Sequence, residues 1–152
     1  MTMTRTMSLT EFLLARIAED EAVARLATEG SWGRWADQEG IPGWDGFIVI
    51  GNDLDDDEEP DPTARVYIEP DADHMIRWDP PRVLAECEAK RRIVKIHTEG
   101  LDDFDGSELY STGCDGCRSV LWPCPTILAL LLPYADHPDY REDWPDCQAA
   151  TR

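Results

Sequence analysis

The sequence predicts an α+β fold: two long helices, a small β-hairpin or short sheet, and a cysteine-rich turn followed by a short C-terminal helix. Three observations carry this expectation. Helix-start signals at Ser8 and at Asp79-Pro80 each open a long run of helical periodicity. Two short β-prone runs, 47–50 and 65–68, flank a stretch of acids and prolines. Three cysteines crowd into residues 114–124 immediately ahead of an apolar run. At 152 residues the chain has the size of one domain, so a single domain over 1–152 is expected.

The first helix is expected over residues 9–29. Ser8 and Glu11 have the spacing of a capping box, and Met7 and Phe12 occupy the two positions of a hydrophobic staple. Leu9, Phe12, Leu13, Ile17 and Ala24 recur on one face, Glu19, Asp20 and Glu21 are placed to face away, and Gly30 supplies a stop. Tryptophan, glycine and proline then dominate, and 31–35 and 41–44 read as turns or short strands around aromatic anchors. The β-prone runs 47–50 and 65–68 are expected to pair as a hairpin with a long loop, 51–63. Asp53, Asp55, Asp56, Asp57, Glu58, Glu59 and Asp61 repel one another there, and Pro60 and Pro62 oppose regular structure, so a mobile acidic loop is predicted. The same residues do not match a calcium-binding EF-hand loop, which needs glycine at its sixth position and glutamate at its twelfth.

Asp79 as N-cap and Pro80 at the first helical position open the second long helix, expected to reach His97 before Glu99 and Gly100 end it. At about 100° per residue, Val83, Cys87, Ile93, Val94 and His97 share one arc, opposite Glu88, Arg92 and Lys95. His97 therefore points inward, and Cys87 reads as core. Glu86 and Lys90 are spaced to pair along the helix edge. A second mobile acidic loop is expected near 100–110, then the cysteine-rich turn, a short helix near 126–132 and a proline-rich tail. Trp32, Trp35, Trp44 and Trp78 are expected in the core, since a small domain needs its aromatic side chains there.

With 32 acidic against 14 basic residues the chain carries a formal net charge of −18. That field disfavours nucleic acid and anionic membrane surfaces as partners and favours basic protein patches, cationic ligands and metal ions. Lys90, Arg91, Arg92 and Lys95 form a basic cluster, but they spread around the helix and follow Glu86 and Glu88, which argues against a nucleic-acid patch. No apolar stretch approaches the roughly 20 residues of a membrane span, and residues 1–7 lack the apolar region of a signal peptide, so an intracellular setting is expected. Five unevenly spaced cysteines fit reduced thiols and metal ligands better than a disulfide framework.

The segment Cys114-Asp115-Gly116-Cys117 is a C-x-x-C turn with glycine where the chain folds tightly, so that both sulfurs can face one metal ion. Cys124 follows after six residues and can supply a third thiolate. His97, at the inner end of the second long helix, is the expected fourth ligand, giving a Cys₃His site that ties that helix to the C-terminal segment as a structural Zn²⁺ centre. Cys147 is the main substitute for His97, with His137 and His74 behind it. Structural zinc is favoured over ordinary reduced cysteines and over a redox dithiol, because the latter motif normally follows a strand and opens a helix. Four protein ligands leave no open position for a catalytic water, so no catalytic residue is assigned. P-loop, dinucleotide, H-E-x-x-H, G-x-S-x-G and deaminase signatures are all missing from the sequence. The Asp136-His137 pair has no accompanying nucleophile and reads as part of a folded-back tail, with Tyr134 and Tyr140 packed on the core and Asp136 capping a turn.

The run Asp79-Pro80, Arg82-Val83-Leu84-Ala85-Glu86, Glu88-Ala89-Lys90-Arg91-Arg92-Ile93-Val94 and His97, with Cys114, Cys117, Pro123-Cys124-Pro125-Thr126 and the 132–142 segment, resembles the domain-of-unknown-function family 6221 of actinobacteria and their phages. The acidic 53–61 segment and the long spacer between His97 and Cys114 depart from that pattern. The resemblance implies no known activity. It implies a cytoplasmic, bacterial or phage setting, and it is consistent with a zinc-stabilised helix-plus-turn unit.

These readings converge on a small acidic accessory or binding protein that engages a basic protein partner. A nucleic-acid-binding protein engaged by charge mimicry is one such partner. The alternatives are a small zinc-dependent hydrolase with an open metal position, using His97, Cys114 and Cys117, and a structural component of a larger bacterial or phage assembly.

Overall fold

The computed structural model describes residues 7–27, 30–35, 47–51, 63–101, 112–119 and 121–144. Along the chain run α1 (Leu9–Leu26), β1 (Trp32–Trp35), β2 (Phe47–Gly51), β3 (Ala64–Val66), α2 (Glu69–Arg77), α3 (Pro80–Ile96), β4 (Glu99–Leu101), β5 (Thr112–Cys114) and α4 (Pro125–Leu131), which ends in a 3₁₀ turn at Leu132–Tyr134. Among the described residues this is an α+β architecture of four helices and short antiparallel sheets. The chain divides into two compact units: Met1–Ala18 with Glu88–Arg152, and Glu19–Cys87.

The Glu19–Cys87 unit is built on a three-stranded antiparallel sheet in the order β1-β2-β3. Phe47 pairs with Val66 and Ile48 with Arg65, which is the expected hairpin, while Trp32 pairs with Gly51 and adds β1 to the other edge of β2. Ile48, Val49 and Ile50 are all buried, as befits a central strand. Helix α2 packs across the three strands through Ala72, which is fully buried. Arg34 on β1 clamps it there, with Nη1 donating to Glu69 Oε1 at 2.9 Å and Nη2 donating to Asp73. The two carboxylates are one helical turn apart, so a single guanidinium spans them. The expectations named no helix at Glu69–Arg77.

Both long helices start where the sequence places them. Ser8 N donates to Glu11 Oε2 at 2.8 Å and Glu11 N donates to Ser8 Oγ at 3.2 Å, the reciprocal pair of a capping box. Arg82 N donates to Asp79 Oδ1 at 3.0 Å, so Asp79 caps α3. In α1, Leu9, Phe12, Leu13, Ile17 and Ala24 are buried as the periodicity demands. Gly30 adopts φ 86°, the left-handed conformation that glycine accepts without strain. Glu19 faces solvent, but Asp20 and Glu21 are half-buried, and Glu21 accepts from Arg25 one turn on. In α3, Cys87 and Val94 are buried while Glu88, Arg92 and Lys95 are exposed. Glu86 accepts from Arg82 Nε at 3.1 Å, and Lys90 Nζ donates to Tyr134 Oη at 3.2 Å.

In the other unit the C-terminal tail folds back on the start of α1. The Phe12 ring meets His137, Tyr140 and Trp144 at centroid distances of 5.7, 6.0 and 4.9 Å. Arg16, 6% exposed, is a charge that burial would otherwise penalise heavily. Its Nη1 lies 2.7 Å from His137 Nδ1 and donates to Asp139 Oδ2 at 3.3 Å. His137 thus packs against Phe12 and shares a hydrogen bond with Arg16. Ile127, Leu128 and Leu131 supply the buried face of α4.

The expectation for the tryptophans needs correcting. Trp78, at the C-terminus of α2, is 41% exposed, and Trp32 is only half-buried. The guanidinium of Arg82 stacks over the Trp78 ring at 4.5 Å, so the indole is covered by a cation rather than by the core. The side chains of Trp35 and Trp44 lie outside the described residues, as do both acidic loops, the 41–44 segment and Cys147.

Candidate metal centre

His97 follows the last residue of α3, with its N–H still donating to Ile93 O at 2.9 Å, so the helix itself orients the imidazole. Cys114 ends β5, which pairs antiparallel with β4: Glu99 opposite Cys114, Gly100 opposite Gly113 and Leu101 opposite Thr112. This small ladder brings Cys114 back beside the end of α3 and closes the distance between residues 97 and 114. Asp115 N donates to Thr98 O at 3.0 Å, and Cys114 N donates to Ser119 O at 2.8 Å, so both sides of the C-x-x-C turn are anchored by backbone hydrogen bonds.

Gly116 lies at the tip of that turn. A Cβ there would sit 2.3 Å from Ile96 O, so only glycine lets the turn pass against the end of α3. Arg118, just after the turn, adopts φ 56°, a left-handed conformation uncommon for a residue with a Cβ. Cys124 is the N-cap of α4, fully buried, with Pro125 beginning the helix.

Together these elements place His97, Cys114, Cys117 and Cys124 so that one donor atom from each lies within 4.8 Å of every other. His97 Nδ1 is 3.5 Å from both Cys114 Sγ and Cys124 Sγ. A tetrahedral ion with metal–sulfur bonds of about 2.3 Å and a metal–nitrogen bond of about 2.0 Å has a sulfur–nitrogen edge of about 3.5 Å and a sulfur–sulfur edge of about 3.8 Å. Two of the three nitrogen–sulfur edges already have that length. The cluster is therefore within metal-binding distance, and Nδ1 is the imidazole atom that faces the sulfurs. Cys114 and Cys124 are buried, His97 is half-buried and Cys117 is exposed, so the cluster has one solvent-facing corner.

The thiols influence one another. Burial works against the Cys114 thiolate, but hydrogen bonds from the Cys117 backbone and from the Cys117, His97 and Cys124 side chains outweigh it and bring Cys114 down to about 7. Burial pushes the Cys124 thiol up, and the neighbouring Cys114 and Cys117 add to that rise. Three sulfurs and an imidazole are the donor set of a closed tetrahedral site for a borderline divalent cation.

All four expected ligands are thus brought together, and neither substitute histidine joins them. His137 is engaged by Arg16, and His74 lies on α2 in the Glu19–Cys87 unit. Cys87 is buried and is not one of the clustered donors. The sequence reading missed the β4–β5 ladder and the close approach of Gly116 to Ile96. The signal for the ladder was weak: two three-residue strands, each with a central glycine.

No helix among the described residues is long and apolar enough to cross a membrane. No curated protein and no solved structure matches the chain. A family model does match, over residues 6–146, and by that match the chain belongs to the family of unknown function DUF6221.

Proposed function

We propose that this chain is a zinc-stabilised acidic binding protein that engages a basic protein partner and performs no chemistry of its own. The observation that carries the reading is the closed Cys₃His donor set, in which His97, Cys114, Cys117 and Cys124 all fall within 4.8 Å of one another. Four protein donors complete a tetrahedron and leave no position for a metal-bound water, which is the signature of a structural ion. Zinc suits the set because it takes thiolate and imidazole together, has no geometric demand that a tetrahedron violates, and carries no redox chemistry. Bound there, it would join the end of α3 to the N-terminus of α4.

The net charge of −18 supplies the binding half of the reading. A field of that size draws a basic surface and repels nucleic acid, so the partner class it favours is a basic protein, including one that itself binds nucleic acid. The experiment is a pull-down from nuclease-treated native lysate at low and high salt, with metal analysis of tag-free protein alongside. One zinc per chain and one stoichiometric basic partner that is lost at high salt are expected. Metal-free protein that melts identically with and without chelator removes the zinc reading, and association indifferent to salt removes the electrostatic one.

A further inference from the structure

Cys117 differs from the other three donors of the cluster in being open to solvent. Cys114 is 3% exposed, Cys124 is 0% exposed and His97 is half-buried. A small oxidant arriving from water therefore meets the Cys117 sulfur first. Sulfur oxidation follows exposure and thiolate character, and a metal-bound cysteine is held as thiolate.

A second sulfur stands ready to resolve that oxidation. Cys114 lies three residues earlier, with its Sγ within 4.8 Å of Cys117 Sγ. The turn that joins them is closed at its base, where Cys114 N donates to Ser119 O at 2.8 Å and Asp115 N donates to Thr98 O at 3.0 Å. Cys124 is equally near in space, but it is reached through a longer stretch of chain and is fixed as the N-cap of α4. A polar depression of about 360 Å³, lined by Gly113, Cys114, Asp115, Arg118 and Ser119, gives water a place beside the buried member of the pair.

Metal binding and disulfide formation exclude each other at these two sulfurs. Bonded to one tetrahedral ion they are about 3.8 Å apart, and bonded to each other about 2.0 Å apart. His97 and Cys124 alone are two donors, too few for a closed tetrahedral site.

We propose that Cys117 makes the cluster a redox-released metal site: a hydroperoxide joins Cys117 to Cys114, the ion is freed, and the end of α3 is uncoupled from the N-terminus of α4. The proposal rests on the zinc reading above and adds its regulation. The Cys117 thiolate attacks one peroxide oxygen, the O–O bond breaks and hydroxide leaves, giving a sulfenic acid. The Cys114 thiolate then attacks that sulfur, the S–O bond breaks and a second hydroxide leaves as the S–S bond forms. The two sulfurs together give up two electrons, the peroxide takes both, and solvent protons convert the hydroxides to water. A thiol reductant reverses the change.

The test uses the full chain carrying Cys147→Ser, its zinc content measured first, then treated with stoichiometric hydrogen peroxide. Zinc release is read with a chromophoric chelator, disulfides by peptide mapping after alkylation, and the first oxidised sulfur by trapping with dimedone. A Cys114–Cys117 disulfide formed in step with zinc release, a dimedone adduct on Cys117, and recovery of the metal-bound melting temperature on adding thiol and zinc are expected. Cys117→His keeps four donors without the exposed thiol and should release zinc at least about tenfold more slowly. Release from Cys117→His as fast as from wild type, a disulfide that uses Cys124, or first trapping on Cys114 or Cys124 overturns the proposal. Should Cys117→His fail to hold zinc, the mapped disulfide and the trapped sulfur of the parent chain decide it. Zinc retained in full under peroxide overturns the switch and leaves the zinc reading standing, whereas a chain that never holds zinc removes both.

Discussion

Gly116 passes so close to Ile96 that a Cβ on it would lie 2.3 Å from the Ile96 carbonyl oxygen and 2.8 Å from its carbon. The obstacle is backbone, which cannot rotate away as a flexible side chain would. Gly116→Ala must therefore move either the C-x-x-C turn or the end of α3, and both carry candidate metal donors. We expect a loss of about 1–3 kcal/mol of stability together with weaker zinc binding, read by thermal melting and by competition with a chromophoric chelator. An alanine variant that melts and binds like wild type would show that the turn has room to spare.

Removing the metal should be felt mainly in the unit that holds the cluster. Addition of chelator is expected to lower the melting temperature, and replacing any one of His97, Cys114, Cys117 or Cys124 by alanine should weaken zinc retention. The four variants should differ without metal. Cys124 is fully buried and Cys117 is exposed, so Cys124→Ala leaves a void and destabilises even the metal-free protein by about 1 kcal/mol or more, whereas Cys117→Ala does not. Equal metal-free melting of the two variants contradicts the burial seen here.

The pH dependence has a definite sign. In the metal-free protein Cys114 is held down to about 7 from an ordinary value of 9.0. Its folded state prefers the thiolate, so this contribution is fully present above 9.0, the unfolded value, and is lost as the pH falls through about 7. Thiolate absorbance should show one group titrating near neutrality and another, Cys124, above the ordinary range. The low step should vanish in Cys114→Ser. Zinc, which binds thiolates in competition with protons, should be released on acidification, at a pH below that at which the metal-free thiol titrates.

Phe12 is fully buried and collects three rings of the tail around it, Trp144 nearest at 4.9 Å. Phe12→Ala is expected to cost about 3–5 kcal/mol and to increase proteolytic cleavage in the tail. A stable variant with a protected tail would refute this packing.

The two capped helix starts offer a smaller, independent check. Asp79 Oδ1 and Ser8 Oγ each accept a backbone N–H three residues ahead, so Asp79→Ala and Ser8→Ala should each cost about 1 kcal/mol. Asparagine at position 79 should recover most of that loss in denaturant melts.

How far the sequence could be read depended on whether a residue's role is local. Ser8, Glu11, Asp79 and Pro80 act on their own helix starts, and α1 and α3 begin where those residues place them. Helix α2 has Ile68 as its N-cap with no side-chain cap and runs for only nine residues, so its start signals, Pro70 with Glu69 and Asp71, and its short apolar stripe of Ala72, Met75 and Ile76 were easy to pass over. What holds it is Arg34, on a strand 35 residues earlier than Glu69. The four clustered donors were legible because thiol and imidazole chemistry is scarce in the chain, but the β4–β5 ladder that closes the gap between His97 and Cys114 is a backbone arrangement with no side-chain signature. Trp78 was misplaced because hydrophobicity says that an indole prefers shelter, and Arg82 provides it at the surface.

The division of the chain also sets an order of birth on the ribosome. Residues 19–87 are consecutive, and the strands and helix they form need nothing made later. Phe12 emerges earlier still, yet its partners Tyr140 and Trp144 are translated long after it, and so is Cys124, which completes the set begun by His97. Phe12 thus waits for its covering rings until the whole 19–87 segment and the candidate metal donors have been made, and that interval is when a chaperone, or a shortage of metal, acts on the chain.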